Sequence, residues 1–185
     1  DKAFSKSVLH AQKRARKLSR SNYQGYLDLR FDSTGFFHVH HDSTRWWFVD
    51  PEGYAYLSFG PTGVGFGASG PIEGQEDLFA YLPDSEEYEG LYSRVRGLRH
   101  ISYVTLNLMR VLGSDWKNEW INTTRDLLLG MGFTGSGNWS SSEFHEKGKM
   151  PYVLPMRGFP STPTKLFRDF PDVFDPAFVI SAEKF

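Results

Sequence analysis

The sequence predicts a mixed α/β fold: an antiparallel β region, then packing helices, then the opening units of a parallel α/β domain. Three observations carry that prediction. Residues 24–59 alternate apolar and polar side chains between turn-forming clusters, the period of half-buried strands. Residues 86–132 place apolar side chains at steps of three and four, the period of a helix. After Gly132 the order becomes strand, helix, strand, loop, helix, which is how a parallel α/β domain begins.

Residues 1–23 form a basic lead-in, with Lys13, Arg14, Arg16, Lys17 and Arg20 crowded into residues 12–20. The chain as a whole has a formal net charge of −1 and so lacks the basic excess of a dedicated nucleic-acid binder. No nucleic-acid partner is expected, and the segment reads as solvated and partly helical. No apolar run approaches the roughly 20 residues that span a bilayer, so no membrane span is expected. The absence of cysteine excludes disulfides and thiol chemistry within the chain. The first residue is Asp rather than Met, as expected of a processed or partial polypeptide.

Residues 24–85 read as an antiparallel β-rich region. In GYLDLRF, Leu27, Leu29 and Phe31 share one face, and Tyr26, Asp28 and Arg30 the other. Asp42-Ser43-Thr44 and Asp50-Pro51-Glu52-Gly53 supply turns, so residues 36–59 read as a three-stranded meander. This sheet is expected to hold many of the 16 Phe, 9 Tyr and 5 Trp, whose packing and binding uses the sequence does not separate. GFGASG, residues 65–70, has the spacing of a dinucleotide-binding loop. Pro71 and an acidic stretch follow where a helix would have to begin, so a plain glycine-rich loop and no cofactor are expected. His38 and His40 share a strand face beside His41, with Asp42 the one near candidate for a further ligand. A zinc site needs more, and a polar solvent face with no metal is expected.

Residues 86–132 read as two packing helices. Leu91, Val95, Leu98, Ile101, Val104, Leu108 and Leu112 predict a first helix over about 86–112, stopped by Gly113. Asp115 is the expected cap of a second, with Trp116, Trp120, Ile121, Thr124, Leu127 and Leu128 along one stripe and Gly130 and Gly132 at its end. Both tryptophans are assigned to the core.

Residues 133–185 read as two β/α units. Phe133 to Trp139 is the first strand; Ser140 caps a short helix with Glu143 completing a capping box, and Gly148 stops it. MPYVLPM is a second, buried strand. Asp175-Pro176 opens a last helix with proline at its first position, and Phe178, Ala182 and Phe185 form its apolar stripe. Glu143 is occupied by the capping box, His145 and Glu146 read as solvated, and no serine has the setting of a nucleophile elbow. No catalytic residue is assigned within the chain.

The segments RWWFVDPEGYAYLSFG, GFTGSGNWSSSEF, MPYVLPMRG and FPDVFDPAF, in this order and spacing, resemble the β-agarase-like glycoside hydrolases, closest to family 50, over roughly residues 24–185. The resemblance implies a β-rich region ahead of a (β/α)8 TIM barrel, of which residues 133–185 would supply the first two units of an incomplete barrel. It implies hydrolysis of a galactan-like, β-linked polysaccharide with retention, by two glutamates on the fourth and seventh strands. Only the first two strands match this sequence. The parent polypeptide is therefore expected to be the enzyme, and the 185-residue chain alone to be inactive.

Carried over residue by residue, Asn138 and Trp139 match the end of the first barrel strand and Arg157 the end of the second, the end at which barrels bind ligands. Asn138 and Arg157 would hydrogen-bond sugar hydroxyls. Trp139 is open to two uses, stacking on a pyranose face or closing the barrel rim. The resemblance implies no metal or other cofactor, and it favours an extracellular or secretory location. The alternative is a non-catalytic structural or interaction protein derived from such an enzyme, whose uncovered strand edges a second chain would cover.

Overall fold

The computed structural model describes residues 2–15, 19–88 and 90–185; Arg16 and Lys17 of the basic lead-in lie outside them. The chain divides into two units, Asp1–Val153 and Leu154–Phe185. In the first unit, α1 (Lys2–Ala15) carries Lys13 and Arg14 in its last turn, where the helix dipole favours cations. It packs on α3 (Trp116–Met131), to which Gln12 is tied by an Nε2–H donated to Asp126 Oδ2 at 3.1 Å.

A four-stranded antiparallel sheet follows, in the order β1 (Tyr26–Arg30), β4 (Tyr54–Tyr56), β3 (Trp46–Val49), β2 (His38–His41). Strands β2, β3 and β4 form the meander over residues 36–59, with Val39 opposite Phe48 and Phe48 opposite Tyr56. Aspartates build both of its turns. Asp42 Oδ1 accepts the backbone N–H groups of Thr44 and Arg45, each at 2.8 Å, while Oδ2 accepts the Trp47 indole N–H at 2.7 Å. Asp50 is fully buried; its Oδ1 accepts from the N–H groups of Glu52 and Tyr54, and Ser21 Oγ donates to its Oδ2. Gly25 has to be bare here, because a Cβ would overlap that carboxylate.

The helix predicted over 86–112 begins only at Tyr103. Its first half is a hairpin, β6 (Tyr92–Val95) and β7 (Leu98–Ile101), with α2 (Tyr103–Leu112) after it. Arg96 and Gly97 both have left-handed backbones, φ 52° and 84°, and make the two-residue turn whose twist matches that of hairpin strands. Leu91 and Ile101 satisfy the helical spacing and also bury together in the sheet, so periodicity alone chose wrongly. The glycine-rich loop leads into β5 (Gly70–Pro71), which pairs with β7 in the order β5–β7–β6. Ile72, Leu91, Ile101 and Leu106 form the core beneath this sheet, and Ser102 caps α2 by accepting the Thr105 N–H at 3.1 Å.

Helix α3 ends where the sequence places its stop, at Gly132 in a left-handed conformation with φ 94°. Asp115 stands at its N-terminus, but its carboxylate accepts from the Asn118 side chain at 2.6 Å instead of capping the backbone, which corrects the expected cap. The stripe of α3 packs with Val64, Phe144 and Met150 into a second core, and Phe66 sets its ring edge-on to Trp116 and Trp120 at 4.9 and 5.0 Å.

Residues 133–153 depart from two regular strands. Their one ladder position is a parallel bridge between Ser136 and Tyr152. Pro151 and Pro155 have no N–H to donate, so a longer ladder along MPYVLPM cannot form. That segment is not a buried strand: Met150 is buried, while Tyr152, Val153, Leu154 and Met156 are exposed. Helix α4 (Ser142–Lys147) ends at Gly148 as expected, but Ser141 caps it rather than Ser140, accepting the Phe144 N–H at 3.2 Å. One residue of displacement puts Phe144 where the capping-box acid would have to stand.

In the second unit, β8 (Lys165–Phe167) pairs antiparallel with β9 (Phe170–Pro171). Asp175 caps α5 (Pro176–Ala182) by accepting the Ala177 N–H at 2.8 Å, with proline at the first position as the sequence predicts. The apolar stripe of α5 is buried only in part: Phe178 is half-buried, Ala182 and Phe185 are exposed, and Phe174 just before the helix is 91% exposed. The described architecture is mixed helix and sheet with antiparallel sheets.

Candidate functional site

Residues 133–141 run between two other backbone segments, and glycine makes that possible. On one side lies 57–64: Thr134 N–H donates to Phe59 O at 2.8 Å, Gly137 N–H to Pro61 O at 2.7 Å, Gly63 N–H to Asn138 O at 2.8 Å and Ser141 N–H to Val64 O at 2.8 Å. On the other, Ser136 N–H donates to Pro151 O and accepts through its own carbonyl from Val153 N–H, both at 2.9 Å. A Cβ on Gly135 would stand 2.8 Å from Pro151 O and 2.9 Å from the Tyr56 hydroxyl; one on Gly137 would stand 3.0 Å from Thr62 Cγ2. These glycines serve close approach, not a left-handed turn.

Hydroxyl side chains lock the seam. Thr134, buried, donates its hydroxyl to Leu57 O and accepts from Phe59 N–H at 3.1 Å. Ser140 Oγ donates to Gly137 O at 2.8 Å and accepts from Val64 N–H at 3.1 Å, the use that frees Ser141 to be the cap. Tyr56 donates to Thr134 O at 3.4 Å, and burial raises its phenol above the ordinary value of 10.0.

A cavity of about 240 Å³ opens on this seam. Ser58, Thr62, Ser136 and Asn138 line it with polar groups, Phe59 and Val153 with apolar ones. Two of the polar atoms are orphans: Ser136 Oγ and Asn138 Oδ1 are buried without a hydrogen-bond partner among the described residues. An unsatisfied buried polar atom costs about 1–3 kcal/mol, and both of these atoms belong to residues that line the cavity.

Trp139 follows Asn138 directly. Its backbone is left-handed, φ 59°, and the residue is 75% exposed. It is in neither core cluster among the described residues, so packing does not account for a large aromatic held in solvent on a left-handed backbone. The structure thus places Asn138 and Trp139 together, Asn138 on the cavity and Trp139 in solvent beside it. Arg157 is exposed and belongs to the second unit.

Sequence reasoning missed Ser136, Ser58 and Thr62. Gly60 held the signal: a Cβ there would overlap Gly135 O, so the bare residues of LSFGPTG and GFTGSGN fit against one another. It also missed His145. The ring is half-buried, not solvated, and stacks on Tyr152 at 4.4 Å and 11°. Its Nε2 is buried without a partner among the described residues, and desolvation pulls its pKa below the ordinary 6.5, so it sits as the neutral imidazole near neutral pH. Tyr152 in turn joins Tyr23, Phe37, Asn22 and Lys149 around a second cavity, of about 550 Å³. The three residues weighed for metal, His38, His40 and Asp42, are otherwise engaged: His38 Nδ1 lies 3.0 Å from Thr34 Oγ1, His40 packs on Phe31 at 4.5 Å, and Asp42 closes its turn.

No family model matches the chain. Beta-agarase B of Vibrio sp. (strain JT0107) is 26% identical to it over 200 residues, an alignment that covers 89% of this chain and 21% of that protein. The solved agarase AgWH50C is similar at 28% identity with a TM-score of 0.67, over 93% of this chain and 29% of that one. PfGH50B, at 24% identity and TM-score 0.62, and an exo-beta-agarase, at 22% and 0.60, share the fold over 97% and 95% of this chain and 31% and 33% of theirs. The chain spans about a fifth of the curated relative and a third or less of each of these structures. On sequence and fold together, the chain is similar to part of the β-agarase-like glycoside hydrolases of the family 50 type.

Proposed function

We propose that this chain is the part of a β-agarase-like glycoside hydrolase that supplies one wall of its sugar site. The observation that carries this reading is the pair of orphaned buried atoms, Ser136 Oγ and Asn138 Oδ1, on one cavity beside the solvent-standing Trp139. A sugar presents what such a wall lacks: hydroxyls that donate to Asn138 Oδ1 and exchange hydrogen bonds with Ser136, and a C–H face that stacks on an indole. Arg157, in the second unit, is a separate candidate for hydrogen-bonding a sugar hydroxyl. We read residues 133–185 as the counterpart of the first two β/α units of such a barrel, with the parallel bridge between Ser136 and Tyr152 standing where its first two strands would pair and the ligand at the carboxyl end of that pair.

Hydrolysis with retention needs an acid and a nucleophile about 5–5.5 Å apart, flanking the glycosidic bond. Among the described residues no carboxylate lines the cavity, and Glu143 receives only a 3.4 Å contact from Ser142 Oγ. The two glutamates belong to later strands of the parent enzyme, which acts on a galactan-like, β-linked polysaccharide. The test is binding of an agarose-derived oligosaccharide. Asn138→Ala and Trp139→Ala should each weaken it by about 1–3 kcal/mol while the fold is retained; affinity unchanged by both substitutions would remove the site.

A further inference from the structure

The basic lead-in takes no part in the sugar wall, yet it lines a cavity of its own. Lys6, His10 and Arg14 stand at intervals of four along α1, one face of a helix, and border a cavity of about 420 Å³ whose floor is Leu127, Gly130 and Met131 of α3. Four residues of helix rise about 6 Å, so the two cations and the imidazole between them are spread over about 12 Å. Among the described residues none of the three is in an ion pair. The described part of α1 contains no acidic residue to offset them, and Asp126 of α3, which α1 reaches through Gln12 at 3.1 Å, is also held by Arg125 at 2.8 and 2.9 Å.

We infer that the α1–α3 groove is a docking site for an anionic polysaccharide, its sulfate or carboxylate groups paired with Lys6 and Arg14 and hydrogen-bonded by His10. A row 12 Å long with no focal point suits a polymer bearing repeated charges better than one small anion, which two of these side chains would surround. The apolar floor suits sugar rings, whose C–H faces need no hydrogen bonds. The choice of polysaccharide over another polyanion rests on the function proposed above, while the groove itself does not. Cations near the last turn of α3 also complement its dipole, a purely structural use that the test has to separate.

The experiment measures binding of the whole chain to dextran sulfate, to polygalacturonate and to neutral dextran, over a range of salt. Dextran sulfate or polygalacturonate should bind at least tenfold more tightly than dextran, and the tighter of the two identifies the acidic group. The double variant Lys6→Ala/Arg14→Ala should lose at least tenfold, with the slope of log affinity against log salt smaller by about two, one for each cation removed. Lys147→Ala/Lys184→Ala, equal in charge removed, should bind as the native chain does. Equal affinity for dextran, unchanged binding by the Lys6/Arg14 variant even where its thermal stability falls, or tighter binding to duplex RNA than to either acidic polysaccharide would overturn the inference. Titration with a neutral agarose-derived oligosaccharide separates the two proposals: Lys6→Ala/Arg14→Ala should leave it unchanged, and Trp139→Ala should weaken it.

Discussion

Trp139 shows at the scale of one residue how a site departs from what the fold would choose. A left-handed backbone costs a non-glycine residue about 1–2 kcal/mol, and an exposed indole recovers little of it through packing. Trp139→Gly should therefore raise stability by about 1 kcal/mol in thermal or urea unfolding while oligosaccharide affinity falls; a loss of stability would return the indole to a packing role. His145 is the second residue out of keeping with its surroundings. Its depressed pKa means that the folded state resists protonation, so the stability it confers is complete above about 6.5 and declines as pH falls below it. His145→Phe keeps the stack on Tyr152 and removes the orphaned Nε2. Its unfolding midpoint, followed from pH 8 to 5, should fall less steeply than that of the native chain; parallel curves would show that His145 is not the titrating group.

Among elements, the seam of 57–64, 133–141 and 150–153 makes the sharpest demand on sequence. Gly135 has room for no side chain, so Gly135→Ala should cost about 1–3 kcal/mol by overpacking against Pro151 O and the Tyr56 hydroxyl, measured by denaturant unfolding. A neutral result would mean that the three segments do not approach this closely. The turn from β2 to β3 answers to pH. Hydrogen bonds from the Trp47 indole and from the N–H groups of Arg45 and Thr44 lower the Asp42 pKa from 3.8 to about 2. The stability they lend is present above 3.8 and is lost as pH falls toward 2, an effect that the Trp47 indole N–H resonance should follow.

These elements also show what was legible beforehand. The meander could be read because both of its turns are written in turn-forming residues, Asp42-Ser43-Thr44 and Asp50-Pro51-Glu52-Gly53. The hairpin of β6 and β7 could not, since Leu91, Val95, Leu98 and Ile101 fit a helix and a sheet alike and only the left-handed pair Arg96-Gly97 decides between them. Asn138 and Trp139 were singled out, through family resemblance, as candidates for sugar contact. Ser136, Ser58 and Thr62 were not, because their role depends on a pairing across more than 70 residues that one sequence does not announce.

For the whole molecule, the distribution of apolar surface matters more than its amount. Val64, Ile121, Leu128, Phe144 and Met150 make one core and Ile72, Leu91, Ile101 and Leu106 another, both within the first unit. The second unit leaves Phe159, Phe167, Phe170 and Phe174 exposed. If the first unit supplies a sugar wall and the catalytic pair lies on later strands, the 185-residue chain should release no reducing ends from agarose, although it binds the oligosaccharide. Dose-dependent release abolished by Glu143→Gln or Glu146→Gln would place a working acid on α4 instead.

Binding at Asn138 is the claim on which the functional account stands, and calorimetric titration of an agarose-derived oligosaccharide into the native chain and Asn138→Ala tests it most directly. The account predicts saturable binding by the native chain and about tenfold weaker binding by the variant, the free energy of about 1.4 kcal/mol that one hydrogen bond to a buried acceptor supplies. Equal affinities, or no binding by the native chain, would contradict it.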